Sequence, residues 1–331
     1  MSGLCVVGGG SWGTTFAKVV ADAGHPVSLW VRRAETAVEI NEAHRNSAYL
    51  PGVNLPPGLS AVDDLAAALR GAGVVFVSVP AQSAREMLER MTPLLEPDAV
   101  LVSLMKGVER STGLRMSELI AEVTGAPAER IAVASGPNIA LEIARREPTA
   151  IVVASAAEQT ALRVARIVRN DYLRTFVGTD VVGTEFGGVL KNLIAIAVGI
   201  VDGVGYGQNS KAAVMTRGLA EITDFAVAMG ARPATLTGLA GLGDLIATCA
   251  SPLSRNFTAG RLLGQGYNFQ QVVERMEQTA EGLRSVGAVL HLAAQHGVEM
   301  PVSTQIHAVL HGRMDPADLA PHLPTDDPVG E

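Results

Sequence analysis

Lys191 stands inside an apolar run, Gly187-Gly188-Val189-Leu190-Lys191-Asn192-Leu193-Ile194, an unusual place for an amine. In apolar surroundings a lysine can give and take a proton. On a helix, Gly187 and Gly188 lie one turn before it, so that turn carries no side chains on the lysine's face. Glycine costs a helix stability, and room for another group to approach the ammonium would account for the cost. The plain alternative is a lysine that snorkels to the surface. Proton transfer needs an anionic partner, and Gly241-Leu242-Gly243-Asp244-Leu245 offers one, with Thr248 one helical turn on. Asp244 could equally be a helix N-cap. Ser254-Arg255-Asn256 follows Ser251-Pro252 at a helix start, where hydroxyl, guanidinium and amide suit an oxyanion or a phosphate. A capped helix with a surface arginine is the other reading.

A second constellation opens the chain. Strand Leu4–Val7 runs into Gly8-Gly9-Gly10-Ser11-Trp12-Gly13 and then a helical stretch to Gly24. In such a turn Gly8 permits the sharp change of direction, Gly10 lets backbone approach a pyrophosphate, and Gly13 lets helix pack closely on strand. The pattern alone is weak, because 35 glycines in 331 residues would supply about 0.4 such matches by chance. Its setting carries more, since a further strand, Val27–Val31, closes a β-α-β unit around it. That strand leads into Arg32-Arg33, where an NAD site usually places an acid. Two guanidiniums suit a 2′-phosphate instead, so NADP(H) is favoured as cofactor and NAD(H) possible; a solvated basic turn is the alternative. Lys106-Gly107 and Ser135-Gly136-Pro137-Asn138 each follow a strand, at the rim where a ligand of such a sheet would lie.

The elements that must position these groups fall into two kinds. Strand candidates Val27–Val31, Val74–Val79, Ala99–Ser103, Ile131–Ala134, Thr149–Ala154 and Thr175–Val177 alternate with helical stretches such as Ala84–Leu95 and Ala157–Val168. Alternation of this kind predicts an α/β, Rossmann-type, doubly wound and mostly parallel sheet over residues 1–180. The Tyr49-Leu50-Pro51-Gly52 to Pro56-Pro57-Gly58 segment reads as one long loop. Residues 181–331 read as an all-α domain with helices at Thr184–Val201, Ala212–Met229, Gly243–Ala250, Arg255–Leu263, Phe269–Met276 and Arg284–His296. The tail from Pro321 reads as frayed.

Composition narrows the class. Hydrophobic residues at 48% and charged residues at 18% describe a globular chain, and a net charge of −7 without a basic stripe argues against a nucleic-acid surface. Cys5 and Cys249 cannot build a disulfide framework, which fits a reducing compartment. Met1-Ser2-Gly3 leads straight into a strand with no signal-peptide pattern. The most apolar stretch, Leu193–Val201, is too short to span a bilayer. A cytoplasmic protein with no membrane span and no metal is expected.

Taken together these segments resemble the bacterial type of the NAD(P)-dependent glycerol-3-phosphate dehydrogenase family. The likeness rests on Gly8–Gly13, Tyr49-Leu50-Pro51, Lys106-Gly107, Ser135-Gly136-Pro137, Glu185 to Asn192, Thr216 to Glu221, Gly241 to Asp244, Ser254-Arg255-Asn256 and Glu281-Gly282. The resemblance implies hydride transfer between a nicotinamide cofactor and C2 of a phosphorylated triose, dihydroxyacetone phosphate or sn-glycerol 3-phosphate, in a homodimer. It gives Lys191 the catalytic proton transfer, Asp244 the acid beside it, and Lys106 a contact to substrate and cofactor. Gly136, Asn138, Asn192, Ser254, Arg255 and Asn256 then bind substrate. Gly8, Gly10, Ser11, Trp12, Gly13, Arg32, Arg33, Tyr49, Ala140, Thr279 and Glu281 bind cofactor, with Arg255 near it. Asn138 replaces a common serine or threonine, Thr279 a frequent valine, and Phe257 an arginine that often follows the Ser-Arg-Asn triplet. Rival readings are a 3-hydroxyacid dehydrogenase, whose carboxylate substrate would not need Ser254–Asn256, and a non-catalytic NADP(H) sensor, which would not need Lys191 with Asp244.

Overall fold

The computed structural model describes residues 3–276 and 280–320, with only the backbone of Glu281 and Arg284. Thr279, the Glu281 side chain and the tail from Pro321 therefore lie outside the described residues. The chain forms two compact units, Met1–Glu185 and Phe186–Glu331.

The first unit holds strands β1 (Gly3–Val7), β2 (Val27–Trp30), β3 (Leu59–Val62), β4 (Ala72–Val77), β5 (Val100–Ser103), β6 (Ile131–Ser135), β7 (Thr149–Ser155) and β8 (Leu173–Gly178). Helices α1 (Ser11–Asp22), α2 (Ala34–Ala43), α3 (Leu65–Leu69), α4 (Ala84–Met91), α5 (Met116–Thr124), α6 (Ala140–Ala144) and α7 (Glu158–Val168) connect them. The strands pair in the order β3-β2-β1-β4-β5-β6-β7-β8, all parallel except β6 with β7. Their Val/Ile/Leu-rich runs follow from burial on both faces. Alternate residues feed two layers: Val6 packs with Phe16, Phe76 and Val102, while Cys5 and Val7 pack with Trp30, Val75 and Leu101. The strand order reverses between β1 and β4, and the glycine turn leaves β1 at that reversal, where open α/β sheets bind ligands. Strand β3 was not anticipated. Its four residues, beside Pro56-Pro57-Gly58, carry little local signal and become a strand by pairing with β2 from Val27↔Leu59 to Trp30↔Val62.

The second unit is helical. Helix α8 (Val181–Val204) begins just before the boundary between the units and is followed by α9 (Gln208–Ala228), α10 (Pro233–Leu236), a π-helical turn at Leu239–Gly243, and α11 (Asp244–Ala250). Then come α12 (Arg255–Gly264), α13 (Phe269–Arg275), α14 (Glu281–Gln295) and α15 (Pro301–Leu310). The run Leu193–Val201 is part of a 24-residue helix that is long and apolar enough to cross a membrane by length and composition, as is the bent pair Pro233–Ala250 with Arg255–Gly264. The apolar window of α8 is 83% buried within the protein, which is how a core helix behaves. Close packing around it is achieved by glycine. A Cβ on Gly199 would lie 2.2 Å from Phe257 O, and one on Gly260 would lie 2.1 Å from Ile196 O, so α8 and α12 cross backbone to backbone. Helix α15, which Pro301 obscured in the sequence, is held by Glu221 of α9. Its carboxylate accepts from Val302 N at 2.6 Å, Ser303 N at 3.1 Å and Ser303 Oγ at 2.5 Å.

The turn at Gly8–Gly13 makes a direct test of packing possible. A Cβ on Gly13 would fall 1.8 Å from Gly8 O, whereas one on Gly10 meets nothing within 4 Å. Gly13→Ala should lower unfolding stability by about 1–3 kcal/mol, and Gly10→Ala by no more than about 1 kcal/mol, the cost of a poorer helix cap. Urea unfolding midpoints check both; equal losses would show that the turn is not closed by contact at Gly13.

Candidate active site

Helix α8 puts Lys191 in the interior of the second unit, 6% exposed. Its ammonium pairs with Asp244 Oδ1 and donates to Thr248 Oγ1 at 2.6 Å. Snorkelling is therefore ruled out. Asp244 is not a helix cap either: the cap position of α11 is Gly243, and Asp244 is the first helical residue, 1% exposed. Thr248 Oγ1 donates in turn to Asp244 O at 2.6 Å, which points its lone pairs at the lysine. The glycine before Lys191 has a definite use. A Cβ on Gly187 would lie 2.5 Å from Ala240 O and 3.1 Å from Gly241 Cα, so the group admitted beside the helix is the backbone that delivers Asp244. Gly241 is itself pressed against Leu236 O, 2.0 Å from where its Cβ would be. Cys249, next in α11, is a buried free thiol whose pKa burial pushes up to about 12, with Lys191 pulling it down and Asp244 adding to the rise.

Beside the pair lies a chain of amides. Asn256 Nδ2 donates to Asn192 Oδ1 at 2.9 Å, and Gly282 N donates to Asn256 Oδ1 at 3.1 Å, tying α8, α12 and α14 together. Ser254 caps α12, its Oγ accepting from Phe257 N at 3.2 Å, while Arg255 in the first turn is exposed. The capping that the sequence left open is thus real, and it sets Arg255 as the first residue of a ten-residue helix. That end is positive by its peptide dipoles and by Arg255.

In the first unit, Gly8 adopts φ +119°, and its absent Cβ would collide with Ser78 O at 2.2 Å; Gly9 is closed by Val31 at 2.5 Å. Gly10 alone of the four turn glycines is open, which is the surface a dinucleotide's phosphates need. Helix α1 then presents N–H groups with no partner inside the helix. Trp12 Nε1 is buried and has no protein partner. Ser11 Oγ donates to Tyr49 O at 2.9 Å, and Thr15 Oγ1 to Ala140 O at 3.2 Å, so Tyr49 and Ala140 border the turn. Arg32 and Arg33 are exposed just after β2, the strand next to β1. At the ends of β5 and β6, Lys106 Nζ donates to Asn138 Oδ1 at 2.6 Å, while Asn138 Nδ2 and Ser135 Oγ are buried with no protein partner. Gly136, at φ +139°, lets that loop lie on Ala150 and Ile151. The residues present fit a nicotinamide dinucleotide. Among the described residues no group of three His, Cys, Asp or Glu side chains could hold a metal ion.

Sequence reasoning missed the groups that hold these loops. Glu109, behind Lys106, accepts both arms of the Arg85 fork at 2.8 Å and the Thr112 hydroxyl at 2.6 Å. These hydrogen bonds, led by the Arg85 guanidinium, hold its carboxyl below the usual range. Glu185 accepts from Arg115 NH1 at 2.5 Å, Ser117 N at 2.8 Å and Ser117 Oγ at 2.6 Å. Nothing local in the sequence separates such residues from surface charges.

A doubly wound dinucleotide-type unit followed by a helical unit with a buried lysine–aspartate pair defines a nicotinamide-dependent dehydrogenase. The family described as NAD-dependent glycerol-3-phosphate dehydrogenase matches with its N-terminal part at residues 3–161 and its C-terminal part at 180–321. A glycerol-3-phosphate dehydrogenase (NAD(P)+) of Leifsonia xyli is 62% identical over 327 residues, 98% of this chain and 89% of its own. One of Thermobifida fusca is 51% identical over 319 residues, 96% and 95% of the two chains. The crystal structure of glycerol-3-phosphate dehydrogenase from Coxiella burnetii superposes with a TM-score of 0.92 at 36% identity, covering 97% of this chain and 98% of that one. The chain belongs to the NAD(P)-dependent glycerol-3-phosphate dehydrogenase family.

The ion pair predicts an asymmetry in stability. Lys191→Met leaves Asp244 buried without its cation and should cost about 3–5 kcal/mol, whereas Lys191→Met with Asp244→Leu should recover most of that loss. Chemical denaturation of the two variants and wild type reads it out. A single variant as stable as wild type would show that the pair is not isolated from water.

Proposed function

We propose that this chain reversibly interconverts dihydroxyacetone phosphate and sn-glycerol 3-phosphate with NADPH favoured over NADH. We further infer a cytoplasmic homodimer that supplies glycerol 3-phosphate for glycerophospholipid synthesis. The observation that carries the reading is the buried ammonium of Lys191 bound to Asp244 and Thr248. An ammonium has three donors; two are spent on these partners, and the third is the one a carbonyl oxygen would take. Lys191 protonates that oxygen during reduction and takes the hydroxyl proton in the reverse direction. When bound, the nicotinamide supplies or receives the hydride at C2. Asp244 fixes the direction of the lysine through the ion pair, and Thr248 fixes the remaining angle. Arg255 and the N-terminus of α12 take the substrate's dianionic phosphate, with Asn192 and Asn256 ordering the amides beside Lys191. Lys106, with Asn138, adds positive charge and amide donors at the rim of the sheet. Gly8, Gly10, Ser11, Trp12 and Gly13 hold the pyrophosphate, with Tyr49, Ala140, Thr279 and Glu281 around the cofactor.

Oxidation of NADPH, and separately NADH, with dihydroxyacetone phosphate tests this at 340 nm. Lys191→Ala should lower turnover by roughly 10²–10⁴-fold, the range of lost acid–base help, while NADPH affinity stays near wild type. Turnover close to wild type would remove Lys191 from the chemistry.

Arg32 and Arg33 support the NADPH preference, because both guanidiniums are exposed just after β2. Arg32→Ala with Arg33→Ala should cost roughly 1.5–3 kcal/mol of NADPH binding and little for NADH, which lacks the 2′-phosphate. Titration of both cofactors decides it; an equal loss would make the pair structural.

A further inference from the structure

Asn46, in the segment after α2, is 0% exposed. Its Nδ2 donates to Gly9 O at 3.1 Å and to Thr14 Oγ1 at 2.8 Å, and its Oδ1 is buried with no protein partner. The orientation of this amide is thus set by what it donates to. The backbone carbonyl of Asn46 accepts from Tyr49 N at 3.1 Å and Leu50 N at 2.8 Å, and Ser11 Oγ donates to Tyr49 O at 2.9 Å. Residues 46–50 are therefore laced to the glycine turn at Gly9, Ser11 and Thr14.

The bond to Gly9 matters because of peptide geometry. No peptide bond among the described residues is cis, and in a trans peptide the carbonyl and the following N–H point in opposite directions. Holding the Gly9 carbonyl toward Asn46 fixes the Gly10 N–H away from it. The peptide between two glycines is also the one freest to flip, since neither residue has a Cβ to limit rotation. Thr14, in the first turns of α1, is the second anchor, so the amide registers the turn against the helix that follows.

We propose that Asn46 is a positioning residue for the dinucleotide: it locks the Gly9–Gly10 peptide so that the Gly10 N–H stays available to the pyrophosphate. The proposal rests on reading Gly8–Gly13 as the pyrophosphate turn. Because the pyrophosphate is common to NADH and NADPH, Asn46 affects both alike, in contrast to Arg32 and Arg33. A merely structural asparagine would lower stability and leave the affinity of the folded protein unchanged.

Fluorescence titration of NADH and NADPH, without triose, measures affinity independently of turnover. Asn46→Asp keeps the shape and sets an acceptor against the Gly9 carbonyl. Both dissociation constants should rise by about tenfold to a hundredfold, with KM for dihydroxyacetone phosphate at saturating cofactor unchanged. Circular dichroism monitors folding; should Asn46→Asp not fold, Thr14→Val removes the second anchor and should raise both constants by about threefold to tenfold. Unchanged affinities, or a loss confined to NADPH, overturn the proposal. Gly10→Asp, which places a carboxylate at the open glycine, separates the two levels. If it weakens both cofactors while the Asn46 and Thr14 variants do not, Asn46 alone loses its role. If it weakens neither, the turn is not the pyrophosphate site and the proposal falls with that reading.

Discussion

A buried ammonium in a helix core tolerates few arrangements, and the second unit is built around the one it uses. Lys191 needs a carboxylate within bonding distance, and that carboxylate must come from a different helix, since α8 has no acid one turn before or after the lysine, where Gly187, Gly188, Ile194 and Ala195 stand. Delivering Asp244 requires the backbone of Leu239–Gly243 to lie directly on α8, which only Gly187 permits. The turn is π-helical there, a geometry common at functional sites because it re-aims the residue that follows. An unpaired charge at either position would cost more than most single substitutions. The apolar length of α8, its glycines against α12, and the capped start of α12 all serve to keep this pair dry and aligned.

The first unit solves a different problem with related means. A pyrophosphate is recognised by backbone N–H groups, so it is the backbone that must be rigid. Gly8, Gly9 and Gly13 are closed by Ser78, Val31 and Gly8 itself, leaving only Gly10 open. Side chains then hold the loops from behind: buried Asn46 on the turn, and Glu109, gripped by the half-buried Arg85 fork, on the loop that carries Lys106. Neither holding group stands in the rim it supports. Each acts by removing alternatives from a flexible segment, which is a large part of what preorganisation means physically.

Much of this was legible in the chain. The glycine turn, six further strands and the helices of the second half follow from periodicity, and Lys191 from its contrast with its neighbours. What escaped has a common cause. Strand β3 exists because β2 offers an edge to pair with, and α15 because Glu221 satisfies its first N–H groups from a helix some 80 residues earlier. The choice between cap and ion pair at Asp244 was undecidable locally, because aspartate suits both and only the position of Lys191 separates them. Asn46 and Glu109 were invisible for the same reason: a buried polar side chain is defined by its partners, and those lie far along the sequence.

The surroundings of the pair also decide which groups share its protons. Thr248 is neutral throughout the accessible range and can only relay direction, donating to the Asp244 carbonyl while accepting from Lys191. Cys249 is the nearby group that could compete, and it lies within electrostatic reach of both charges. Lys191 alone would favour a thiolate there, but burial outweighs the lysine, and Asp244 opposes ionisation as well. With its pKa at about 12 the thiol stays protonated wherever the enzyme works. A thiolate is the reactive form of cysteine, so the same dryness that strengthens the lysine–aspartate pair also keeps the neighbouring sulfur inert.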